Sequence, residues 1–414
     1  MRAEIVTIGD ELLIGQTVDT NSAWLAKKLN AIGVEVAQIT SVSDTREHIL
    51  WGLKEAGSRS DLVLTTGGLG PTKDDITKKT LCEYFDTELV MHEDIRERIE
   101  SYFKYRGIPF LEVNRQQAAL PANCTPVLNV RGTAQGMWFD QEGTVYVSMP
   151  GVPYEMQGIV EDHLLDMIVK RFERPHIEHL TMMTQGIGES SLADMVEDWQ
   201  DSLDAEGISL AYLPSPGTVK VRLTSKGPDA EAIKEKVRRK ADEFIAIAGE
   251  YVFAEEDIPL EEAVGKALIE KGQTVATAES CTGGRIASFL TKVAGSSQYY
   301  YGSVVSYDNS VKQGLLGVTE ATLIEHGAVS EATARQMAEE VRKVIGTDYG
   351  VATTGVAGPG GGSEAKPVGT VWIAVAGPNG TRAELHRYGK DRERNILRST
   401  REALSMLRDE ILKG

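Results

Sequence analysis

Between residue 3 and about residue 87, short apolar runs alternate with segments whose apolar residues recur at helical spacing. The runs EIVTIG, VEVAQITSV and DLVLTTGG predict strands, and the spacing predicts helices through Trp24 and Leu29 and near 45–57. Strands that alternate with helices of this length are typical of parallel βαβ units, in which helices cover both faces of the sheet. We therefore expect an α/β fold at the start of the chain.

The rest of the chain divides into three further patterns. GTAQGMWFD and GTVYVSMPG predict a β-hairpin, which is followed by a helix from Pro153 to about Phe172. The segment from about 176 to 252 predicts a small α+β module of two strands and two helices, the first helix running from Glu189 to Leu203. After the acidic AEED and Pro259, helices and strands alternate again. We predict domains at 1–172, 176–252 and 257–414.

Length, charge and cysteine content limit the classes of function. A chain of 414 residues exceeds what one hydrophobic core usually supports. The formal charge of −17 disfavours nucleic acid and anionic lipid as partners, although helix N-termini still bind small anions. The three cysteines lie far apart, and no apolar stretch approaches the roughly 18 residues of a membrane span. We expect a cytoplasmic protein with no membrane partner.

The loop TTGGLGPTKDDITKK, at residues 65–79, follows a buried strand and precedes a helix predicted to begin near Asp74. Gly67, Gly68 and Gly70 let the backbone approach a phosphate closely, while Asp74 and Asp75 supply hard oxygen ligands for Mg²⁺ or a similar ion. The alternative is a glycine-rich turn in which Asp74 only caps the helix. The spacing matches neither a P-loop nor a Rossmann fingerprint.

Two other segments should reach the same edge of the sheet. Ligands of open parallel sheets bind outside the carboxyl ends of the strands, so Asp10, Glu11, Asn21 and Glu155 are expected to converge on the glycine loop, with Asp10 as a further metal ligand. Taken singly, each of these residues would be explained equally well as a cap or a turn.

The stretch TVATAESCTGGRIASFL, at residues 274–290, indicates a strand at 273–278. This strand would deliver Ser280 to the start of a helix that begins at 283. Ser280 would then be a nucleophile, with main-chain N–H groups of Cys281, Thr282, Gly283 or Gly284 forming an oxyanion hole. The alternative is that Ser280 or Thr282 is an N-cap and the glycines permit close packing. Cys281 is a rival nucleophile.

A serine hydroxyl needs a base, and the histidines of this region are poorly placed. His326 lies in a polar turn and His386 in an alternating strand. The segment YYYGSVVSYDNSVKQ instead places Tyr307, Asn309 and Lys312 at the mouth of a helix, where a desolvated lysine has a lowered pKa. A solvated helix charge is the alternative for Lys312.

A second glycine-rich loop, in ATTGVAGPGGGSEAKPVGTVW, follows a strand that ends at 353–354. Its glycines at 355, 358, 360, 361 and 362 make the loop pliant, and Thr354, Gly355 and Gly358 are expected to bind a phosphate group, with Lys366 as a countercharge. The alternative is a mobile connection between two strands.

The sequence resembles the CinA (competence/damage-inducible) family over nearly its whole length. GDELLIGQTVDTNS, TTGGLGPTKDD, GTAQG and MPGVPYEM are similar to the family's molybdopterin-binding-like N-terminal domain, and AESCTGG with GVAGPGGGSEAKPVGTVW to its C-terminal amidase domain. The resemblance implies a three-layer α/β/α first domain, a KH-like middle module and an α/β amidase domain. It implies a metal-dependent ADP-ribose pyrophosphatase in the first domain and a nicotinamide mononucleotide (NMN) deamidase, with no cofactor, in the last.

The resemblance also implies roles for individual residues. It favours Ser280 over Cys281 as nucleophile and Lys312 as its base, assisted by Tyr307, with Glu279 beside the substrate. It further implies a homodimer. The middle module lacks the GXXG loop of RNA-binding KH domains, so we expect a spacer or dimerisation element, or a module that lends Glu189 to the phosphate site.

Two other functions remain open at this stage. The same loops would serve a non-catalytic molybdopterin- or nucleotide-binding regulator. A competence factor that handles nucleic acid is disfavoured by the charge of −17.

Overall fold

The computed structural model describes residues 1–72 and 75–413, and the chain divides into two compact units. The first unit comprises Met1–Glu178 with Ser225–Lys236, and the second comprises His179–Thr224 with the chain from Val237 onward. No helix in the described ranges combines the length and the apolar composition that crossing a bilayer requires.

The first unit is built on a six-stranded sheet with strand order β2-β1-β3-β8-β7-β6. Strands β1, β2, β3 and β8 pair in parallel, whereas β7 pairs antiparallel with β8 and with β6. The strands of the whole unit are β1 (Arg2–Ile8), β2 (Glu35–Val42), β3 (Leu62–Thr66), β4 (Leu89–Met91), β5 (Ala119–Pro121), β6 (Thr125–Val127), β7 (Gly136–Gln141) and β8 (Thr144–Met149). Its helices are α1 (Asp10–Leu13), α2 (Thr20–Ala31), α3 (Arg46–Gly57), α4 (Thr77–Tyr84), α5 (Glu93–Tyr105), α6 (Glu112–Arg115), α7 (Pro153–Ile159) and α8 (Leu165–Arg171).

Both faces of this sheet are covered, which makes the domain a three-layer α/β/α structure. Strand β3 shows why: Leu62 and Leu64 pack in one cluster with Leu25 of α2, whereas Val63, between them, packs in another with Leu53 of α3. A strand buried on both faces shows a continuous apolar run. The sequence LVLTT is such a run, and all five residues are buried.

From residue 176 onward the chain forms a four-stranded sheet, β10-β11-β9-β12, and a five-stranded sheet, β14-β13-β15-β16-β17. The strands are β9 (His176–Gln185), β10 (Ile208–Ser215), β11 (Thr218–Gly227), β12 (Val252–Ala254), β13 (Val275–Glu279), β14 (Tyr300–Val305), β15 (Tyr349–Gly355), β16 (Thr370–Gly377) and β17 (Gly380–Arg387). The helices are α9 (Glu189–Met195), α10 (Glu197–Asp201), α11 (Ala230–Ala248), α12 (Leu260–Lys271), α13 (Arg285–Lys292), α14 (Asn309–Leu316), α15 (Glu320–Glu325), α16 (Glu331–Ile345) and α17 (Arg392–Lys413).

The five-stranded sheet is also covered on both faces. Strand β13 lies between two parallel neighbours, β14 and β15, and β16 and β17 continue the sheet antiparallel. Val275 packs with Leu404 of α17, whereas Ala276 and Ala278 pack with Met337 of α16. The strand that leads to Ser280 is therefore buried on both faces, between two parallel neighbours.

Several predicted boundaries shift. The helix predicted from Glu189 to Leu203 is two short helices, and the helix expected near Asp74 begins at Thr77. Asp75 accepts a hydrogen bond from the N–H of Thr72 at 3.0 Å, which closes a turn just ahead of α4. Asp74 itself lies outside the described residues.

Candidate active site

Ser280 lies at the carboxyl edge of the five-stranded sheet, immediately after β13. Its N–H donates to the carbonyl oxygen of Thr353 at 3.0 Å, which extends the pairing between β13 and β15 by one residue. The chain then turns through Gly283 and Gly284, whose φ angles of 61° and 94° are left-handed values that favour glycine. Helix α13 begins at Arg285, so Ser280 sits in the strand-to-helix turn that the sequence predicted.

Lys312, on the first turns of α14, approaches Ser280 in three dimensions. Its Nζ lies 3.2 Å from Ser280 Oγ, 2.7 Å from the carbonyl oxygen of Ser306 and 3.3 Å from that of Tyr307. Lys312 is 1% exposed and Ser280 is 8% exposed. Burial lowers the pKa of Lys312 because the charged amine loses its hydration.

These three contacts fit both forms of the amine. The charged lysine has three N–H donors and donates to the hydroxyl oxygen of Ser280 as well as to the two carbonyl oxygens. A neutral lysine that keeps its two N–H donors on the carbonyl oxygens of Ser306 and Tyr307 has its lone pair left for the hydroxyl of Ser280. The geometry thus allows Lys312 to take the proton of Ser280.

Cys281 lines the same cavity as Ser280, but it is also part of the core. Its side chain belongs to the apolar core cluster of the domain, and burial raises the pKa of its thiol to about 12. Because the thiolate is the reactive form, a thiol with such a pKa is a poor nucleophile at neutral pH.

The turn around Ser280 leaves two adjacent N–H groups open. In the described part of the chain, every main-chain N–H from 280 to 287 donates to a protein acceptor except those of Cys281 and Thr282. These two donors directly follow Ser280 in the chain, which makes them the candidates for an oxyanion hole. The filled donors and their acceptors are Ser280 to Thr353 O, Gly283 to Ser280 O, Gly284 to Glu279 Oε2, Arg285 to Thr282 O, Ile286 to Glu279 Oε2 and Ala287 to Glu279 Oε1.

A cavity of about 210 Å³ opens in front of Ser280 and Lys312. Five of the other predicted residues line it: Cys281, Tyr307, Asn309, Thr354 and Gly355. Arg392, at the start of α17, also lines the cavity, and sequence reasoning missed it. The sequence feature that could have identified Arg392 is its place in the first turn of a helix, where the macrodipole disfavours a cation.

Arg392 also changes the role expected for Tyr307. The guanidinium donates to the hydroxyl oxygen of Tyr307 at 3.0 Å and to the carbonyl oxygen of Gly358 at 2.8 Å. The Tyr307 side chain is 61% exposed, and its hydroxyl is engaged with Arg392 rather than with Ser280. It is the main-chain carbonyl of Tyr307 that contacts the lysine.

Other predicted residues lie behind the cavity or away from it. Glu279 is fully buried, and its carboxylate binds the turn rather than facing the substrate, which corrects the contact expected for it. The hydroxyl of Thr282 is likewise buried, at 2.7 Å from Glu279 Oε2. Lys366 donates to the carbonyl oxygen of His326 at 2.7 Å and does not line the cavity, and neither do Gly283, Gly284 and Gly358.

The first unit holds a second cavity, of about 400 Å³, at the carboxyl ends of β1, β3 and β8. Gly67, Gly68 and Gly70 line it together with Asn21, Asp75 and Glu155, as does Glu11. The N–H groups of Gly68, Leu69 and Gly70 meet no protein acceptor within the described ranges and are therefore open to an anion. Asp10 is exposed at the start of α1 and lies off this cavity, which corrects its expected place.

The residues of this cavity suit a hard divalent ion in donor type. Glu11, Asp75 and Glu155 present carboxylate oxygens, the ligands that Mg²⁺ prefers. Among residues 1–72 and 75–413, no three His, Cys, Asp or Glu side chains are close enough to form a complete metal cage. Mg²⁺ is commonly held by one or two carboxylates, with water and substrate phosphates completing its shell.

Glu189 lies in the second unit, in a cavity of about 390 Å³ that it lines with Gly186, Gly188 and Glu402.

Taken together, the fold and the sites define a three-domain α/β protein with a molybdopterin-binding-like domain, a KH-like module and a last domain that carries a buried Ser–Lys pair. Family models match in this order: a probable molybdopterin binding domain at 4–170, the damage-inducible protein CinA KH domain at 179–254 and the CinA C-terminal domain at 257–411. The chain belongs to the CinA family.

Two relatives that match over nearly the full length of the chain support this assignment. A CinA-like protein of Flavobacterium psychrophilum is 45% identical, with 100% of this chain and 99% of that protein covered. A putative competence-damage inducible protein of Halothermothrix orenii is 39% identical, with 98% of each covered. A solved competence/damage inducible protein of Agrobacterium tumefaciens is 42% identical over 37% of this chain and 96% of its own, with a TM-score of 0.35.

Proposed function

We propose that the last domain is an amidohydrolase that converts NMN to nicotinate mononucleotide and ammonia. The observation that carries this proposal is the contact of 3.2 Å between the buried amine of Lys312 and the hydroxyl of Ser280, beside two open N–H donors. Amide hydrolysis needs a nucleophile, a base and a site for the oxyanion, and these groups supply one of each.

In the first step, Ser280 Oγ attacks the carboxamide carbon while its proton passes to Lys312 Nζ. The carbonyl π electrons move to the oxygen, which the N–H groups of Cys281 and Thr282 then bind. The tetrahedral intermediate collapses when the C–N bond breaks, and Lys312 returns its proton to the leaving nitrogen. Ammonia departs, and the acyl group remains as an ester on Ser280.

In the second step, water attacks the ester carbon and gives a proton to Lys312. The C–O bond to Ser280 breaks, Ser280 recovers a proton from Lys312, and the pyridine carboxylic acid leaves and gives its remaining proton to ammonia in solution. Over the cycle, one water is consumed and the lysine returns to its neutral form, so the balance needs no other reactant.

Arg392 provides the reason to propose a mononucleotide. Of the residues that line the described cavity, Lys312 and Arg392 are the basic ones, and Lys312 is committed to Ser280. The guanidinium is held by Gly358 and Tyr307, which fixes a planar donor group suited to a phosphate.

We propose that the first domain hydrolyses the diphosphate of ADP-ribose with a divalent metal ion. The open N–H groups of the glycine loop would bind the phosphates, and Asp75 with Glu11 or Glu155 would hold the ion. When bound, such an ion neutralises charge on the diphosphate and lowers the pKa of a bound water.

Two assays on the purified full-length chain test these proposals. Ammonia release from NMN tests the amidohydrolase, and metal-dependent formation of AMP from ADP-ribose tests the pyrophosphatase. The competing function, a non-catalytic molybdopterin- or nucleotide-binding regulator, predicts binding of the nucleotide without either product.

A further inference from the structure

The turn that presents Ser280 depends on a buried acid. Glu279 is 0% exposed, and its carboxylate accepts hydrogen bonds from the N–H groups of Gly284, Ile286 and Ala287 at 3.0, 3.0 and 2.8 Å. It also accepts from the hydroxyl of Thr282 at 2.7 Å. One side chain therefore binds the N-terminus of α13 from within the sheet.

This contact decides which donors remain for the substrate. The first N–H groups of a helix have no partner within it and together attract anions. In α13 those groups are filled by Glu279, and the N–H groups of Gly283 and Arg285 are filled by the turn itself. Only Cys281 and Thr282, in the described run from 280 to 287, keep open N–H groups.

We propose that Glu279 is a positioning residue that defines the oxyanion hole: it occupies the donors of the helix and fixes the turn so that the N–H groups of Cys281 and Thr282 converge on the oxyanion. Glu279 touches neither the substrate nor the reacting atoms. Its second link to the site is through Thr282, whose hydroxyl lies 2.7 Å from both Glu279 Oε2 and Thr353 Oγ1. The main-chain carbonyl of Thr353 in turn accepts the N–H of Ser280. The deamidase assay below rests on the proposed function.

The test is the Glu279→Gln variant of the full-length chain. The amide nitrogen of glutamine only donates, so it would face N–H groups that now have an acceptor. We expect kcat for NMN to fall by about 100-fold, the cost of a lost oxyanion donor, while KM changes by no more than about two-fold. The pH dependence should be unchanged, because the contacts of Lys312 are not altered.

A second readout separates this role from a structural one. The aldehyde analogue of NMN would form a tetrahedral adduct with Ser280, and its Ki should rise by the same factor as kcat falls. The Ki of nicotinate mononucleotide should not change. A variant that melts at a lower temperature but keeps the kcat and aldehyde Ki of the wild type would overturn the inference.

Two further variants complete the design. Thr319→Ala removes an unrelated helix cap, in which Thr319 Oγ1 accepts from the N–H of Thr322, and should lower stability without changing kcat. Thr282→Val keeps the main chain but removes the hydrogen bond from the Thr282 hydroxyl to Glu279. This variant replaces Glu279→Gln as the test if Glu279→Gln does not fold. Its kcat and aldehyde Ki should shift together by several-fold, and a kcat equal to that of the wild type would contradict the proposal.

A substrate that is not a nucleotide distinguishes failure of the proposed function from failure of the positioning role of Glu279. p-Nitrophenyl acetate acylates an activated serine through the same oxyanion hole. A wild type that is inactive on NMN, yet shows esterase activity that requires Ser280 and falls by about 100-fold in Glu279→Gln, would reject NMN and retain the positioning role. The positioning role of Glu279 would be overturned if Glu279→Gln left the esterase rate unchanged, or if Ser280 reacted with neither substrate.

Discussion

The side-chain nitrogen of Lys312 lies 3.2 Å from the hydroxyl oxygen of Ser280, although 32 positions separate them in the chain. A lysine is seldom buried without a carboxylate partner. Here its other two contacts are main-chain carbonyls, and burial lowers its pKa. The pair therefore combines a nucleophile with an amine that loses its proton at a lower pH than an exposed lysine does.

The first prediction concerns pH. Only the neutral amine accepts the proton of Ser280, so kcat/KM for NMN should rise with pH through the pKa of Lys312. Because burial lowers that pKa from the usual value of about 10.4, the inflection should lie below 10.4. Lys312→Arg should be inactive, since arginine stays protonated in proteins. A flat profile or an active arginine variant would reject Lys312 as the base.

The second prediction concerns Cys281. Cys281→Ala should keep most of the deamidase activity, because its buried thiol has a pKa of about 12 and lies in the apolar core. It should cost about 1 kcal/mol of unfolding free energy, a typical value for a point substitution. Denaturant unfolding and ammonia release measure the two effects. An inactive, folded Cys281→Ala protein beside an active Ser280→Ala protein would reverse the assignment.

The third prediction concerns Arg392. Hydrogen bonds to charged groups contribute about 1.5–3 kcal/mol, so Arg392→Ala should raise KM for NMN by about 10- to 150-fold. The KM for nicotinamide riboside, which lacks the phosphate, should change little in the same variant. Steady-state kinetics with both substrates measure the difference. Equal losses for the two substrates would show that Arg392 does not contact the phosphate.

The fourth prediction concerns the first domain. Asp75→Asn should lower Mg²⁺-dependent AMP formation from ADP-ribose by about 10- to 100-fold, the range found for residues that support a metal site. Ammonia release from NMN should not change. Asp10→Asn is the matched control, because Asp10 is exposed and lies off the cavity. A larger loss with Asp10→Asn than with Asp75→Asn would exclude this placement of the ion.

The strand-to-helix turns were predictable because their signals are local. An apolar run that stops at Ser280 before two glycines indicates the turn, and the run DLVL before the glycine loop indicates the other cavity. The position of Lys312 depends on how α14 packs, which spacing alone does not give, and the resemblance to a known family supplied it. Arg392 was missed because it enters the cavity from α17, far along the chain.

Glu279 shows a different limit. A carboxylate beside a nucleophile indicates a substrate contact when only the sequence is known. The alternation of a strand does not reveal that its side chain turns back onto the helix that follows, where three N–H groups bind it. That contact requires the three-dimensional path of the turn.

The most direct test of the proposed deamidase is ammonia release from NMN by the full-length chain, measured beside its Ser280→Ala variant. We expect stoichiometric ammonia and nicotinate mononucleotide from the wild type, and a rate lower by about 10⁴-fold or more in a folded Ser280→Ala protein. Ammonia release at equal rates from both proteins, or no release from the wild type across the alkaline range in which Lys312 is neutral, would contradict this proposal.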